Sequence, residues 1–210
     1  KCTFISNDSN LYYKIGKKLK RILKIDVCVL CLHGINGEDG CVAGILELSK
    51  IPYTSSGVCC SSVCMDKAIF KILMDGLGLK QVPYTIIRED YNVKNIIKNI
   101  GFPLIVKPSN GGSSIGIMKA NTKKELINAI KEAKKYDEKV VIEKFIKARE
   151  LEIAVLEDNK KIICSLPGEI NSANEFYDYD AKYVNMKSYT TIPDDLNIEV
   201  IKKLNQYSIE

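Results

Sequence analysis

The spacing of apolar positions changes several times along the chain, and each change predicts an element. Leu11, Ile15, Leu19, Ile22 and Leu23 recur at helical spacing with lysines between them, which predicts a surface helix over residues 11–24. An unbroken apolar run at 27–32 predicts a buried strand, and a second helical pattern occupies 41–48. Between them lies the loop His33, Gly34, Ile35, Asn36, Gly37, Glu38, Asp39, Gly40. A short strand and turn follow at 51–57, then a helix from about residue 61 that contains Met65, Asp66 and Lys67 and continues through Phe70, Ile72, Leu73 and Leu77, with Gly76 and Gly78 at its end. Pro83 precedes a strand at 84–87, and a helix over 90–100 is stopped by Gly101 and Pro103.

Residues 104–119 read as apolar strand, glycine- and serine-rich turn, and apolar strand. Thr122 and Glu125 then form a capping box for a helix whose apolar face is Leu126, Ile127, Ile130 and Ala133, ending near Tyr136. Strands are predicted at 140–145, 150–156 and 162–166, with the turn Ile146, Lys147, Ala148, Arg149 between the first two. Residues 171–191 show no period, as long functional loops often do, and a final helix begins after Asp194 and Asp195. Strands alternating with helices predict an α/β protein.

Composition narrows the function classes. With 210 residues, 46% hydrophobic and 27% charged, the chain has the balance of a soluble globular protein of one large domain or two small ones. No apolar run approaches the ~18 residues of a membrane span. The net charge of +5 comes mostly from scattered lysines. Without an arginine-rich arm or a basic stripe a nucleic-acid partner is not expected, whereas a small polyanion suits the balance.

The eight cysteines are Cys2, Cys28, Cys31, Cys41, Cys59, Cys60, Cys64 and Cys164. Several fall in apolar patterns, where free cysteine behaves as a small buried hydrophobe. Cys28 and Cys31 lie inside the run 27–32, which argues against an exposed redox turn, and a single histidine gives little support to a zinc site. No signal-peptide pattern precedes the cysteines, and a reducing cytoplasm is the expected compartment.

Candidate chemistry concentrates on loops. In open α/β sheets, loops that leave strand ends carry ligand groups, making His33, Glu38 and Asp39 candidates. The alternative is that Asp39 caps a helix, Glu38 is solvated and His33 is an ordinary loop residue. The 104–119 hairpin places Lys107 beside Gly111 and Gly112, which permit close backbone approach, and beside the hydroxyls of Ser113 and Ser114. Phosphate is the natural guest, although an ordinary turn has the same composition. A Walker-type loop is not expected, because no Gly-Lys-Ser/Thr follows and no helix opens there.

Taken in order, these segments resemble the D-alanine–D-alanine ligases of the ATP-grasp superfamily. The set is His33, Gly34, Gly37, Glu38, Asp39 and Gly40; Met65, Asp66 and Lys67; Val106, Lys107 and Pro108 with Gly112, Ser113, Ser114 and Gly116; Glu143 and Lys144; and Phe176, Tyr177, Asp178, Tyr179, Ala181, Lys182 and Tyr183. The resemblance runs from about Asp26 to the end. It implies an ATP-grasp fold with a partial N-terminal α/β (preATP-grasp) domain over 1–58, a central ATP-grasp domain over 59–147, and the start of a C-terminal ATP-grasp domain over 148–210 with an omega-loop lid. It implies a cytoplasmic enzyme, expected to be a homodimer without membrane attachment. Such an enzyme uses ATP and Mg²⁺ (or Mn²⁺) to join two D-alanines through a D-alanyl phosphate, making the dipeptide for peptidoglycan.

By the same resemblance Lys67 and Lys107 hold ATP phosphates, and Ser113 and Ser114 belong to the loop that covers them. Glu143, Lys144 and Ile146 hold adenine, much of it through backbone groups, and Glu150 meets the ribose hydroxyls. Lys182 reaches the transferred phosphoryl group, Ser113 and Tyr183 help orient the site, and His33 and Glu38 line the first D-alanine site. A tyrosine after the lid lysine favours an amine as second substrate, so D-lactate is ranked lower and D-serine is the close alternative.

Two parts of the family pattern are not found. One is the glycine-rich strand and loop with a glutamate at the start. The other is a C-terminal part bearing an arginine and the Asp, Glu and Asn metal ligands. No metal ligand is therefore assigned within residues 1–210; the ligands are expected beyond Glu210, with the C-terminal part truncated there. Whether Glu210 ends a fragment of a ligase or a non-catalytic nucleotide-binding relative is left open by the sequence. In either case residues 1–210 alone are expected to release little ADP in response to D-alanine.

Overall fold

The computed structural model describes residues 1–172 and 188–210. The chain opens with three antiparallel strands, β1 (Cys2–Ile5), β2 (Asp8–Ile15) and β3 (Lys18–Lys24), in the order β1-β2-β3. The helix expected over 11–24 is therefore a hairpin. Ile15 pairs with Lys18 across a two-residue turn whose first residue, Gly16, has φ 57, a conformation open to glycine that continues the strand twist and would break a helix. Apolar residues four apart fit both readings, and the turn decides between them.

The run 27–32 is likewise not a buried strand. Its only bridge among the described residues is Cys28 to Tyr53, and Val27, Val29 and Leu32 stay exposed, because the segment is paired along one edge and no described element covers its faces. The strand expected at 51–57 is reduced to the same bridge.

Helix α1 (Cys41–Leu48) follows the loop as expected, burying Ala43 and Leu46. The single helix expected from residue 61 is two, α2 (Val58–Met65) and α3 (Lys67–Gly76). Asp66 divides them: its extended backbone ends α2, and its carboxylate accepts from the amides of Ala68 and Ile69 to start α3. Strand β4 (Tyr84–Ile87) and helix α4 (Val93–Ile100) come next, the latter capped by Asn92.

A four-stranded antiparallel sheet organises the centre. Its order is β4-β7-β5-β6, with β5 (Leu104–Pro108), β6 (Met118–Ala120) and β7 (Val140–Lys144). Helix α5 (Lys123–Ala133) begins at Thr122, whose hydroxyl accepts from the Glu125 amide. Alternation along the strands assigns the two faces. Leu104, Val106, Val140 and Ile142 point into a core with Ile96 of α4 and Leu126, Ala129, Ile130 and Ala133 of α5. Ile105, Lys107, Val141 and Glu143 occupy the other face, where Ile105 pairs with Glu143 and Lys107 with Val141. Thus the sheet that buries the core also turns two charged residues to one side.

Beyond it, β8 (Glu150–Glu152), β11 (Gly168–Asn171) and β12 (Tyr189–Thr191) form a sheet in the order β12-β11-β8, and β9 (Val155–Asp158) pairs with β10 (Lys161–Cys164). The strand expected over 150–156 is split between β8 and β9, which belong to different sheets. Helix α6 (Ile198–Ile209) is last, with Glu210 as its C-cap. No cysteine is buried: Cys28 and Cys164 are half-buried, the others are exposed, and all eight are free. The cysteines expected in buried positions lie instead on open helix faces and in the one-sided 27–32 segment.

Candidate functional site

The face of β5 and β7 away from the core is an ionic cluster. Glu143 accepts from Lys107 Nζ at 2.5 Å and from Lys71 Nζ at 2.8 Å, one lysine on each carboxylate oxygen. Burial pushes the Glu143 carboxyl up, but the charge and hydrogen bond of Lys107, together with Lys71, hold it below its ordinary value. It is a carboxylate kept ionised by two ammonium groups.

Lys67 stands beside this cluster at the first position of α3. Its ammonium donates to the Gly111 carbonyl at 2.7 Å and to the Ser109 carbonyl at 3.4 Å, and its amide donates to the same Ser109 carbonyl at 2.9 Å. Burial lowers its pKa and the nearby charge of Lys107 lowers it further. Two cations converging under one loop make a site for an anion.

That loop, residues 109–116, is anchored and shaped by its sequence. Ser109 is fully buried, its hydroxyl donating to Asp66 at 2.5 Å, while Lys139 pairs with the other oxygen of Asp66. The root of the loop is thereby tied to the start of α3, which fixes Lys67 against it. At the tip Ser113 and Ser114 have φ 55 and 58, in the left-handed region that costs L-residues about 1–2 kcal/mol each. Amides of Ile115 and Ile117 close the turn onto the carbonyls of Gly112 and Ser114 at 3.2 and 3.3 Å.

A cleft of about 280 Å³ lies alongside, lined by Lys107, Ser114, Glu143, Lys144 and Glu150 together with the apolar Val82, Ile105, Ile117, Phe145 and Ile146. Its lining combines charged and apolar side chains, the mixture that a phosphate-bearing planar ring would require. Lys144 lines it too, while its ammonium donates to the carbonyls of Gly101 and Phe102. Next to Glu150, Arg149 forms a bidentate pair with Glu169 at 2.6 and 2.7 Å and also grips Asp195 at 2.8 and 3.0 Å, tying β8 to β11. These pairs raise the Arg149 pKa further above its ordinary value.

The loop 33–40 reaches the same place. His33 Nδ1 lies 3.8 Å from Glu38 Oε1, and the other Glu38 oxygen accepts from the Gly34 amide at 2.5 Å. Both side chains stay largely exposed. A Cβ added at Gly112 would lie 3.5 Å from Gly34 Cα, so the two glycine-bearing loops come close to one another. Asp39 is not the cap of α1, whose N-cap is Gly40; its carboxylate instead braces the loop, accepting from the amides of Asn36 at 2.8 Å and of Cys41, the first helical residue, at 3.0 Å.

The structure thus gathers Lys67, Lys107, Ser113, Ser114, Glu143, Lys144, Ile146 and Glu150 around one loop and cleft, with His33 and Glu38 at the loop's far side. Lys182 and Tyr183 lie outside the described residues. Sequence reasoning named Ile146 but missed Lys71 and the other apolar lining residues, Val82, Ile105, Ile117 and Phe145. Lys71 is one helical turn beyond Lys67 and Ile105 is two strand positions before Lys107, so each shares a face with a named residue, but what that face meets is not written in the spacing. Among the described residues no group of three or more His, Cys, Asp or Glu side chains could hold a metal ion. Glu210 itself joins no such group, its carboxylate accepting from the Gln206 side chain at 2.8 Å, and the expectation of metal ligands beyond Glu210 concerns no described residue.

Comparison with known proteins bears on the family and the fold. Residues 73–210 match the D-ala D-ala ligase C-terminus family and residues 5–56 the D-ala D-ala ligase N-terminus family. The chain is 40% identical over 201 residues to a D-alanine–D-alanine ligase of Clostridium novyi, covering 92% of this chain and 58% of that protein. It is 42% identical over 210 residues to the ligase of Caldicellulosiruptor bescii, covering 96% and 57%. Among solved structures, D-alanyl-alanine synthetase A from Vibrio cholerae superposes with TM-score 0.83 at 29% identity, covering 99% of this chain and 63% of that one. The VanG D-Ala:D-Ser ligase from Enterococcus faecalis gives 0.75 at 33%, covering 90% and 56%.

The α/β architecture is that of an ATP-grasp protein. The chain belongs to the D-alanine–D-alanine ligase family, and it spans somewhat over half the length of the curated relatives it matches.

Proposed function

We propose that the protein uses ATP to join two D-alanines, the joining being what the name D-alanine–D-alanine ligase states for its relatives. The observation that carries this reading is the convergence of Lys67 and Lys107 beneath the 109–116 loop, beside a half-apolar cleft and against the loop of His33 and Glu38. Chemically, the carboxylate of the first D-alanine attacks the γ-phosphorus and ADP leaves. The amine of the second attacks the acyl carbon, inorganic phosphate departs, and a proton is lost from the new amide nitrogen.

In this reading Lys67 and Lys107 neutralise the phosphates, and the amides and hydroxyls of Ser113 and Ser114 cover them. Ser113 also faces the amino acid. Glu143, Lys144 and Ile146 surround adenine with Phe145, and Glu150 accepts from the ribose hydroxyls. His33 and Glu38 hold the first D-alanine, Lys182 meets the transferred phosphoryl group and Tyr183 orients the site. Mg²⁺ or Mn²⁺, when bound, would offset the polyphosphate charge. Residues 1–58, 59–147 and 148–210 are the three domain segments, and the enzyme is a cytoplasmic homodimer serving peptidoglycan synthesis. Among the described residues no helix is long and apolar enough to cross a membrane.

The test is product analysis by mass spectrometry with the intact protein, ATP and Mg²⁺, offering D-alanine alone or with D-serine. D-alanyl-D-alanine formed in preference to D-alanyl-D-serine supports the reading. A preference for the mixed product would assign instead the D-Ala:D-Ser activity for which the VanG enzyme is named.

A further inference from the structure

Glu143 has two cationic partners where one would neutralise it, and the two are held very differently. Lys107 lines the cleft, and its side chain keeps 26% of its exposure. Lys71 is outside the cleft lining and only 11% exposed. Its ammonium also donates to Gln81 Oε1 at 3.3 Å and sits 4.7 Å from the centroid of the Tyr84 ring. Gln81 in turn donates to the Lys71 carbonyl at 2.8 Å and to Asp75 at 2.6 Å, and the Tyr84 hydroxyl donates to Asp75 at 2.5 Å. One lysine is framed by α3 and β4; the other is within reach of a ligand.

A nucleotide phosphate entering the cleft competes with Glu143 for Lys107. If Lys107 were the only partner, that exchange would strand a buried carboxylate, which would then take up a proton and penalise binding. We propose that Lys71 is a positioning residue, a standing counter-ion that keeps Glu143 ionised and in place when Lys107 leaves it for the phosphates of a nucleotide. This rests on the ATP reading above and adds to it the reason for a second lysine. Among the described residues the groups facing Glu143 are Lys71 and Lys67 from α3, Lys107 from β5 and Tyr84 from β4, so with Lys107 engaged elsewhere Lys71 is the one described cation in contact with it.

The experiment is calorimetric titration of the intact protein with ATP in buffers of different ionisation enthalpy, which counts protons taken up on binding. Lys71→Met is expected to weaken ATP binding roughly 10- to 100-fold and to take up protons that the unmodified protein does not. Lys71→Arg keeps the charge and should restore the original proton count. The double variant Lys71→Met, Glu143→Gln should lose the extra uptake, because the titrating group is gone. A purely structural role would lower thermal stability without changing the proton count.

Lys107→Ala separates the two levels of the reading. Unchanged ATP affinity in that variant overturns the phosphate site and this inference with it. Weakened affinity in Lys107→Ala, with an unaltered proton count in Lys71→Met, overturns this inference alone. Extra uptake that survives in the double variant also overturns it, since some other group would be titrating.

Discussion

Replacing Asp66 should loosen the site from below while leaving the α5 core intact. Its side chain is buried and does three things at once: it caps α3 through the amides of Ala68 and Ile69, accepts the hydroxyl of Ser109 and pairs with Lys139. Asp66→Ala removes all three. Loss of a cap costs about 1 kcal/mol, and removing one partner of a buried ion pair costs about 3–5 kcal/mol, chiefly through the charge left behind. Because these terms overlap, a total of about 3–5 kcal/mol is expected, with Asp66→Asn roughly 1 kcal/mol milder because asparagine still caps.

The pH dependence has a definite sign. Burial pushes the Asp66 carboxyl up, but Lys139, Ser109 and the Ile69 amide pull it net below its ordinary 3.8. Below 3.8 the unfolded chain therefore binds the proton first. The stabilisation is fully present above that value and is lost as pH falls through the lower folded one. Urea unfolding as a function of pH, with hydrogen exchange at residues 66–70 as the local readout, measures both effects. An unchanged midpoint in Asp66→Ala, or an unchanged acid loss in Asp66→Asn, would refute this reasoning.

Gly116 has φ 73, and a Cβ there would lie 2.6 Å from a Tyr136 ring carbon and 2.8 Å from Pro108 Cγ. Gly116→Ala should therefore cost about 2–4 kcal/mol from strain and overlap together, seen as a lower thermal midpoint. Ile130 is fully buried against the sheet, so Ile130→Ala should cost about 2–5 kcal/mol in urea unfolding. Because all eight cysteines are free and most are exposed, a small thiol reagent should label several of them without denaturant, and reductant should leave the unfolding midpoint unchanged; a midpoint that falls would reveal a disulfide.

Strong local signals were legible in the sequence. Thr122 and Glu125 announced α5, Gly101 and Pro103 ended α4, and the apolar run from Leu104 into the glycine- and serine-rich turn announced β5 with Lys107 near its end. The 11–24 hairpin escapes such a reading because apolar residues four apart satisfy a helix and an antiparallel pair alike, and only the Gly16 turn separates them. The 27–32 run escapes it because an apolar string says nothing of how many neighbours it will have. Of the site, the residues that bear chemistry could be named from ordered motifs. Lys71 could not, because its role depends on α3 lying across β7, a tertiary fact.

D-alanine-dependent ADP release by the intact protein, set beside the same measurement for Lys107→Ala, tests the assigned function most directly. The expected result is ADP equal in amount to D-alanyl-D-alanine, falling at least about tenfold when Lys107 is lost. No ADP release in response to D-alanine, or equal turnover with and without Lys107, would contradict it.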